Sequence, residues 1–399
     1  MKHSVSQLAI CGGPPAFPSK LPVGQLNLPA REDFITIFSK LFERRYYTNH
    51  GPLAQQLEEK LQQLFSVRNV VLMTNATIAL SLACKALPFK KGDRIIVPAF
   101  TFAATVQALT WAGLEPIFCE VDPRSHLITP KTVEPLVLLP GVKGILGVHL
   151  WGNGCEVDEL QQLATAHGLT VFYDAAHAVG CSHNGRPFGG FGTCEIFSFH
   201  ATKIFNTAEG GCITTNNDNL AEKLRNLRSS YGRKKNIHIE ISGNGRFSEA
   251  QAALGLLGLE KLTEYCTSNR KRMNAYMEGL HEIPGIRLLQ PSPNEKHNCQ
   301  YVVLEVDEKA FGLNRDQLVQ VLETENILAR RYFVPGMHRC PPYDTLFPQY
   351  ADTLPLTDTL CKQVMQVPSG EIVTDDAIRE ICELIRFIHI HAREVRERL

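Results

Sequence analysis

The chain has 399 residues, 44% of them hydrophobic and 21% charged, with 41 basic side chains balanced by 41 acidic ones. That length exceeds one comfortable core and predicts two domains, while the balanced charge argues against a nucleic-acid or membrane surface as partner. The 12 cysteines, scattered from Cys11 to Cys382 without a Cys-x-x-Cys pair, read as buried reduced thiols, and no apolar run reaches membrane-spanning length. The expected setting is therefore the cytoplasm, and the expected partners are small molecules or a second copy of the chain.

From about residue 68 to 216, short apolar runs alternate with helix-length segments, the pattern of βα units that build a mainly parallel sheet. Strands are predicted at Asn69–Met73, Arg94–Pro98, Pro116–Val121, Gly144–Leu150, Thr170–Asp174, Ile196–His200 and Cys212–Thr215. In an open α/β sheet, ligands gather beyond the carboxyl ends of the strands, and Asp174 falls at such an end. Asn75-Ala76-Thr77 follows the first strand and opens the apolar helix Ile78–Leu87. The unpaired amides and dipole of that helix start suit a phosphate, and Asn and Thr also serve as ordinary helix caps.

The most informative pairing is Asp174, in Val-Phe-Tyr-Asp-Ala-Ala-His-Ala-Val-Gly (171–180), with Lys203, in Phe-Ser-Phe-His-Ala-Thr-Lys-Ile-Phe-Asn-Thr-Ala-Glu-Gly-Gly (197–211). A lysine at the end of an apolar strand loses its proton more easily than a solvated one and attacks a carbonyl to form a Schiff base. A carboxylate against the ring nitrogen of pyridoxal phosphate (PLP) keeps that nitrogen protonated, so the ring accepts electrons from a substrate carbanion. Taken singly, Lys203 reads as a loop lysine, Asp174 as a helix cap and Phe102 as core.

After Ser-Gly-Asn-Gly (242–245), a helical stretch from Ser248 to about Glu282 connects a large domain, residues 1–258, to a smaller one, residues 259–399. In the smaller domain we expect a strand at Tyr301–Val306, a helix at Asn314–Thr324, a strand at Leu328–Phe333 and a Pro-rich loop through Pro341-Pro342-Tyr343. Ile378, Ile381, Ile385 and Ile388 recur at helical spacing within Thr374–Arg393, so one face of that helix packs on the small sheet. His389 and His391 lack a third ligand and read as a solvated face, so no metal is expected.

Asn-His-Gly-Pro-Leu (49–53), Val-Pro-Ala-Phe-Thr-Phe-Ala-Ala-Thr (97–105), the Asp174 and Lys203 segments, and Gly-Asn-Gly-Arg-Phe-Ser-Glu-Ala-Gln-Ala-Ala-Leu-Gly (243–255) together resemble the DegT-type sugar aminotransferases, in order from about residue 30 to 345. The resemblance implies a PLP-dependent transferase of fold type I, α/β, with a mainly parallel mixed sheet in the large domain and a smaller C-terminal α/β domain. It also implies a homodimer with shared active sites. Lys203 would form the Schiff base and then move protons. Asp174 would pair with the pyridine nitrogen, His177 would lie near the phenolic oxygen, and Phe102 would cover the ring. Ala76, Thr77 and Ser198 would hold the phosphate, with Asn244 reaching it from the partner subunit.

Within the family the segments look most like enzymes that aminate C4 of a nucleotide-linked 4-keto-6-deoxyhexose, with L-glutamate as amino donor and dTDP-4-keto-6-deoxyglucose as acceptor. Arg331, Tyr332 and His338, in and after Ala-Arg-Arg-Tyr-Phe-Val-Pro (329–335), are the candidate sugar or diphosphate contacts. The alternatives are a 3-keto-sugar or cyclitol aminotransferase, a PLP-dependent sugar dehydratase, and a non-catalytic sensor of PLP or nucleotide-sugar. Related 3-dehydratases carry histidine where this chain has Lys203. Asn75-Ala76-Thr77 and Ser242-Gly243-Asn244 depart from the usual family pattern without removing a side chain the chemistry needs.

Overall fold

The computed structural model of the chain describes residues 2–229, 242–291 and 295–399. Its contacts group into two units, one of Asn27–Thr263 with 295–297, the other of residues 2–26, Glu264–Pro291 and Asn298–Leu399.

The larger unit is built on seven strands: β1 (Asn69–Met73), β2 (Arg94–Pro98), β3 (Glu115–Cys119), β4 (Val142–Val148), β5 (Thr170–Asp174), β6 (Glu195–Ser198) and β7 (Gly211–Thr215), in the order β1-β7-β6-β5-β4-β2-β3. β3, β2, β4, β5 and β6 pair in parallel, and β7 is antiparallel to both of its neighbours. Every residue of β1, β6 and β7 is buried, as expected where both faces of a sheet are covered, and this is why the strands read as apolar runs.

The reversal at β7 follows from its connection. The segment 199–210 folds back on itself, with Phe199 N–H donating to Gly210 C=O and Ala201 N–H to Ala208 C=O. So short a link supplies no crossover helix, and the next strand must run antiparallel. β6 correspondingly ends at Ser198, two residues short of the expected His200, because the chain has already entered that fold-back.

The smaller unit holds a fully antiparallel sheet of β8 (Ile286–Leu288), β9 (Val302–Val306) and β10 (Val364–Val367), in that order. Asn314 caps the helix Arg315–Thr324 in a capping box with Gln317, and Thr374 caps Asp375–Ile390. Ile378, Ile381, Ile385 and Ile388 are all buried in the unit's core, as their spacing predicts. His389 is half-buried rather than fully on a solvated face, and its Nδ1 donates to the carbonyl of Phe311 at 2.9 Å.

Two further expectations differ from the structure. Leu328–Phe333 is not a strand: Ile327 makes a single parallel bridge to Leu21 and Arg330 a single bridge to Gln366, so no continuous ladder forms. Residues 2–26 group with the C-terminal segment, whereas the expected division assigned 1–258 to the large domain. The cause is local. The buried carboxylate of Glu325 accepts the N–H groups of Ala9 and Ala16 at 2.7 Å each and lies 3.1 Å from Lys2 Nζ, while Val23 bridges to Ser369. The chain passes from one unit to the other between Thr263 and Glu264, inside the helix Glu249–Leu280 rather than at 258.

Candidate active site

Asp174 is the last residue of β5 and is buried, with its two oxygens held differently. Oδ2 accepts the hydroxyl of Thr105 at 2.8 Å and Oδ1 accepts the Ala176 N–H at 3.1 Å. Burial is the largest influence on its carboxyl and pushes its pKa above the ordinary range, while Thr105, Ala176, Lys203 and His149 oppose the rise.

Lys203 lies in the fold-back loop between β6 and β7, its N–H bonded to the carbonyl of His200 at 2.8 Å. Its charge acts on Asp174 and also on His177. His177 stands just beyond β5, where Nδ1 accepts the Trp151 N–H at 3.2 Å and the ring stacks on Trp151 with centroids 5.7 Å apart. Burial first, and then the lysine, hold the imidazole pKa well below its usual value, so it is neutral and carries its proton on Nε2. Three residues singled out from the sequence thus interact at the carboxyl ends of adjacent strands.

The start of the helix Ala76–Ala86 makes a second feature of the same sheet edge. The Asn75 side chain caps Ile78 N–H at 2.8 Å and the Asn75 carbonyl takes Ala79 N–H. Among the described residues, the N–H groups of Ala76 and Thr77 have no acceptor. Gly211 sits between Met73 and Ser198 in register, and a Cβ on it would come within 2.9 Å of Ala76 N and 2.6 Å of Phe197 O. Two donors at a positive helix end, with the buried Ser198 next to the same glycine, fit a phosphate group. A carboxylate, a lysine and an open helix start along one sheet edge fit PLP.

The remaining candidates divide. Phe102 caps the helix Ala103–Trp111 and is 56% exposed, a ring presented to solvent rather than packed in the core. Asn244 is exposed on a strip fastened by Gly243 N–H to Leu227 C=O and Gly245 N–H to Arg228 C=O, and its Oδ1 takes Arg246 Nε at 3.1 Å. In the smaller unit, Arg331 is exposed with Asp316 at 3.6 Å, and the Tyr332 hydroxyl accepts from Arg330 at 3.4 Å. His338 differs from expectation. It is buried, with Nε2 3.1 Å from Asp358 Oδ1, and the Asp358 carboxylate also takes two 2.6 Å bonds from Arg339. That pairing holds the ring inside its own unit rather than presenting it to a ligand.

Sequence reasoning missed Thr105, Trp151 and the buried pair His149–Glu195, whose Nε2 and Oε1 lie 3.2 Å apart behind Asp174. Thr105 gave no helical-spacing signal, since Thr101, whose hydroxyl it meets at 3.0 Å, lies before the N-cap Phe102 rather than on the helix. Trp151 and His149 gave no signal beyond their position at the end of an apolar strand.

The sheet, its topology and the constellation at its carboxyl edge define a PLP-dependent aminotransferase of fold type I. The sequence profile of the DegT/DnrJ/EryC1/StrS aminotransferase family matches residues 30–386, and the chain belongs to that family. A dTDP-4-amino-4,6-dideoxy-D-glucose transaminase of Shigella dysenteriae is 39% identical over 317 residues, 78% of this chain and 84% of the relative. One of the same name from Escherichia coli is 32% identical over 92% of this chain and 98% of the relative. The crystal structure of DesI, solved in the presence of its TDP-sugar product, superposes with a TM-score of 0.91 at 37% identity, covering 99% of each chain. Among the described residues, no helix is long and apolar enough to cross a membrane.

Proposed function

We propose that this enzyme takes the amino group of L-glutamate and delivers it to C4 of a nucleotide-linked 4-keto-6-deoxyhexose, dTDP-4-keto-6-deoxyglucose, giving the 4-amino sugar. The observation that supports the site assignment is the buried Asp174 carboxylate at the end of β5, with Lys203 in the loop after the neighbouring β6 and the open helix start at Ala76 on the same sheet edge. The names of the relatives and of DesI support the choice of sugar.

When bound, PLP supplies an amine carrier and an electron sink. The N–H groups of Ala76 and Thr77, with the hydroxyls of Thr77 and Ser198, would hold its phosphate. Asp174 would keep a proton on the ring nitrogen, and neutral His177 would offer its Nε2–H to the ring edge. Phe102 would cover one face. Lys203 Nζ would take the proton from the amine-bearing carbon and return it on the other side of the exchange, serving as base and acid in turn. Donor and acceptor use one pocket successively, so ping-pong kinetics are expected.

Asn244 would complete the phosphate site of a second copy, making the enzyme a cytoplasmic homodimer with shared active sites. The exposed apolar side chains of the helix Arg31–Arg44 and its flanks, Ile35, Phe42, Tyr46 and Tyr47, support a covered face. The exposed guanidinium of Arg331 and the Tyr332 hydroxyl are the groups we assign to the diphosphate and sugar.

A two-stage absorbance experiment tests the reading. L-Glutamate added to the PLP-loaded enzyme should remove the visible band of the lysine-bound cofactor, and the keto-sugar should restore it, with an amino sugar found by mass spectrometry. Loss of the band without recovery would overturn the acceptor, and no response to glutamate would overturn the donor.

A further inference from the structure

Thr101 and Thr105 are both fully buried, four residues apart at the start of the helix Ala103–Trp111. Thr105 Oγ1 lies 2.8 Å from Asp174 Oδ2, and Thr101 Oγ1 lies 3.0 Å from Thr105 Oγ1. An ionised carboxylate can only accept, so the Thr105 proton must point to Asp174. The Thr105 oxygen is then an acceptor, and the Thr101 hydroxyl must donate to it. The relay therefore has one direction while Asp174 carries its charge.

Among the described residues, Thr105 is the side chain that hydrogen-bonds this carboxylate, through Oδ2, while the Ala176 N–H holds Oδ1. The charged or titratable groups that face Asp174 from neighbouring elements are Lys203, from the loop after β6, and His149, from the end of β4 with Glu195 of β6 behind it. These act on Asp174 through space and do not fix its rotation. The Thr105 N–H also bonds the Phe102 carbonyl at 3.1 Å, so the turn that presents the Phe102 ring is the turn that holds the carboxylate.

We infer that Thr105, oriented by Thr101, is a positioning residue that fixes the rotation of the Asp174 carboxylate and favours its charged form for the cofactor's ring nitrogen. This rests on the reading of Asp174 as the partner of that nitrogen. Thr101 lies before the N-cap Phe102 and Thr105 in the first turn of the helix Ala103–Trp111, so the turn through Phe102 brings the two hydroxyls together.

The test uses Thr105→Val, which keeps the branched shape and removes the donor, beside Thr105→Ser, which keeps it. Cofactor-free protein is titrated with PLP, and its melting temperature is recorded in parallel. Thr105→Val should weaken PLP about tenfold to hundredfold, the scale of one hydrogen bond to a charged group, and Ser should recover most of that loss. Asp174→Ala should weaken PLP as well, and adding Thr105→Val to it should change nothing further. If Asp174→Ala binds PLP like the parent, the reading of Asp174 fails. If Asp174→Ala weakens PLP but Thr105→Val binds within about twofold of the parent, the inference alone fails. It fails equally if Ser gives no rescue, or if Val weakens the Asp174→Ala background by the same factor, because Thr105 would then act through packing.

Discussion

Gly211→Ala tests the geometry of the proposed phosphate cup without touching a side chain assigned to the chemistry. The added Cβ would meet Phe197 O at 2.6 Å, Ala76 N at 2.9 Å and the Asn75 carbonyl carbon at 3.1 Å, all of them backbone atoms. None of these can rotate aside as a side chain tip would, so β7 must move away from β6 or from the start of the helix Ala76–Ala86. Overpacking of this kind costs about 1–3 kcal/mol, which for a domain of this size lowers the melting temperature by about 2–12 °C. Displacing one amide donor from a phosphate costs about another tenfold in affinity. Cofactor-free protein should therefore melt earlier and bind PLP at least about tenfold more weakly. Gly190→Ala is the control, because its Cβ would meet no atom closer than 3.5 Å. A Gly211→Ala protein with the parent's melting temperature and PLP affinity would refute the argument that this glycine exists to let the helix start approach the strand.

Lys203→Ala should abolish amino transfer and the visible band of the lysine-bound cofactor together, and a variant retaining both would remove the central residue assignment. Asp174 makes the cofactor-free fold pH-sensitive. Its raised pKa means that between the ordinary carboxylate range and the raised value the folded chain holds a proton that the unfolded chain has lost, so stability falls as pH rises across that window. Asp174→Asn should flatten that slope in urea midpoints of apo protein, and an unchanged slope would count against the buried environment described. Glu58 has the opposite sign. Burial alone would raise its carboxyl, but the 2.7 Å bond to His50 and the charge of Arg228 at 3.3 Å bring the pKa below the ordinary value. Its stabilisation is present above the ordinary carboxylate range and is lost as pH falls through the lowered pKa. Glu58→Gln should cost about 3–5 kcal/mol at neutral pH and less in acid, as read from denaturation midpoints.

How much of this was legible in the sequence depends on where each residue's partners lie along the chain. β1, β2 and β5 have the bounds expected from their apolar runs, because a strand buried on both faces must be apolar throughout and is short enough to be bounded by its turns. The position of Asp174 and His177 at the sheet edge was readable because the end of β5 delivers both there within one short segment. The antiparallel β7 was not, since its direction depends on hydrogen bonds that close the 199–210 loop upon itself. Leu328–Phe333 has strand composition, yet its possible partners, Leu21 and Gln366, belong to distant segments that each offer a single bridge. The same long range hid the attachment of residues 2–26, which hangs on Glu325, more than 300 positions from Ala9 and Ala16.

His338 shows the limit most clearly. Its residue type and its loop suited a ligand contact, but Asp358, 20 positions later, already holds it. Thr105 is the converse, a residue of bland type whose hydroxyl meets the buried Asp174 carboxylate 69 positions on. A side chain's chemistry is a property of the pair it belongs to. The sequence names the members, and only the fold decides which of them meet.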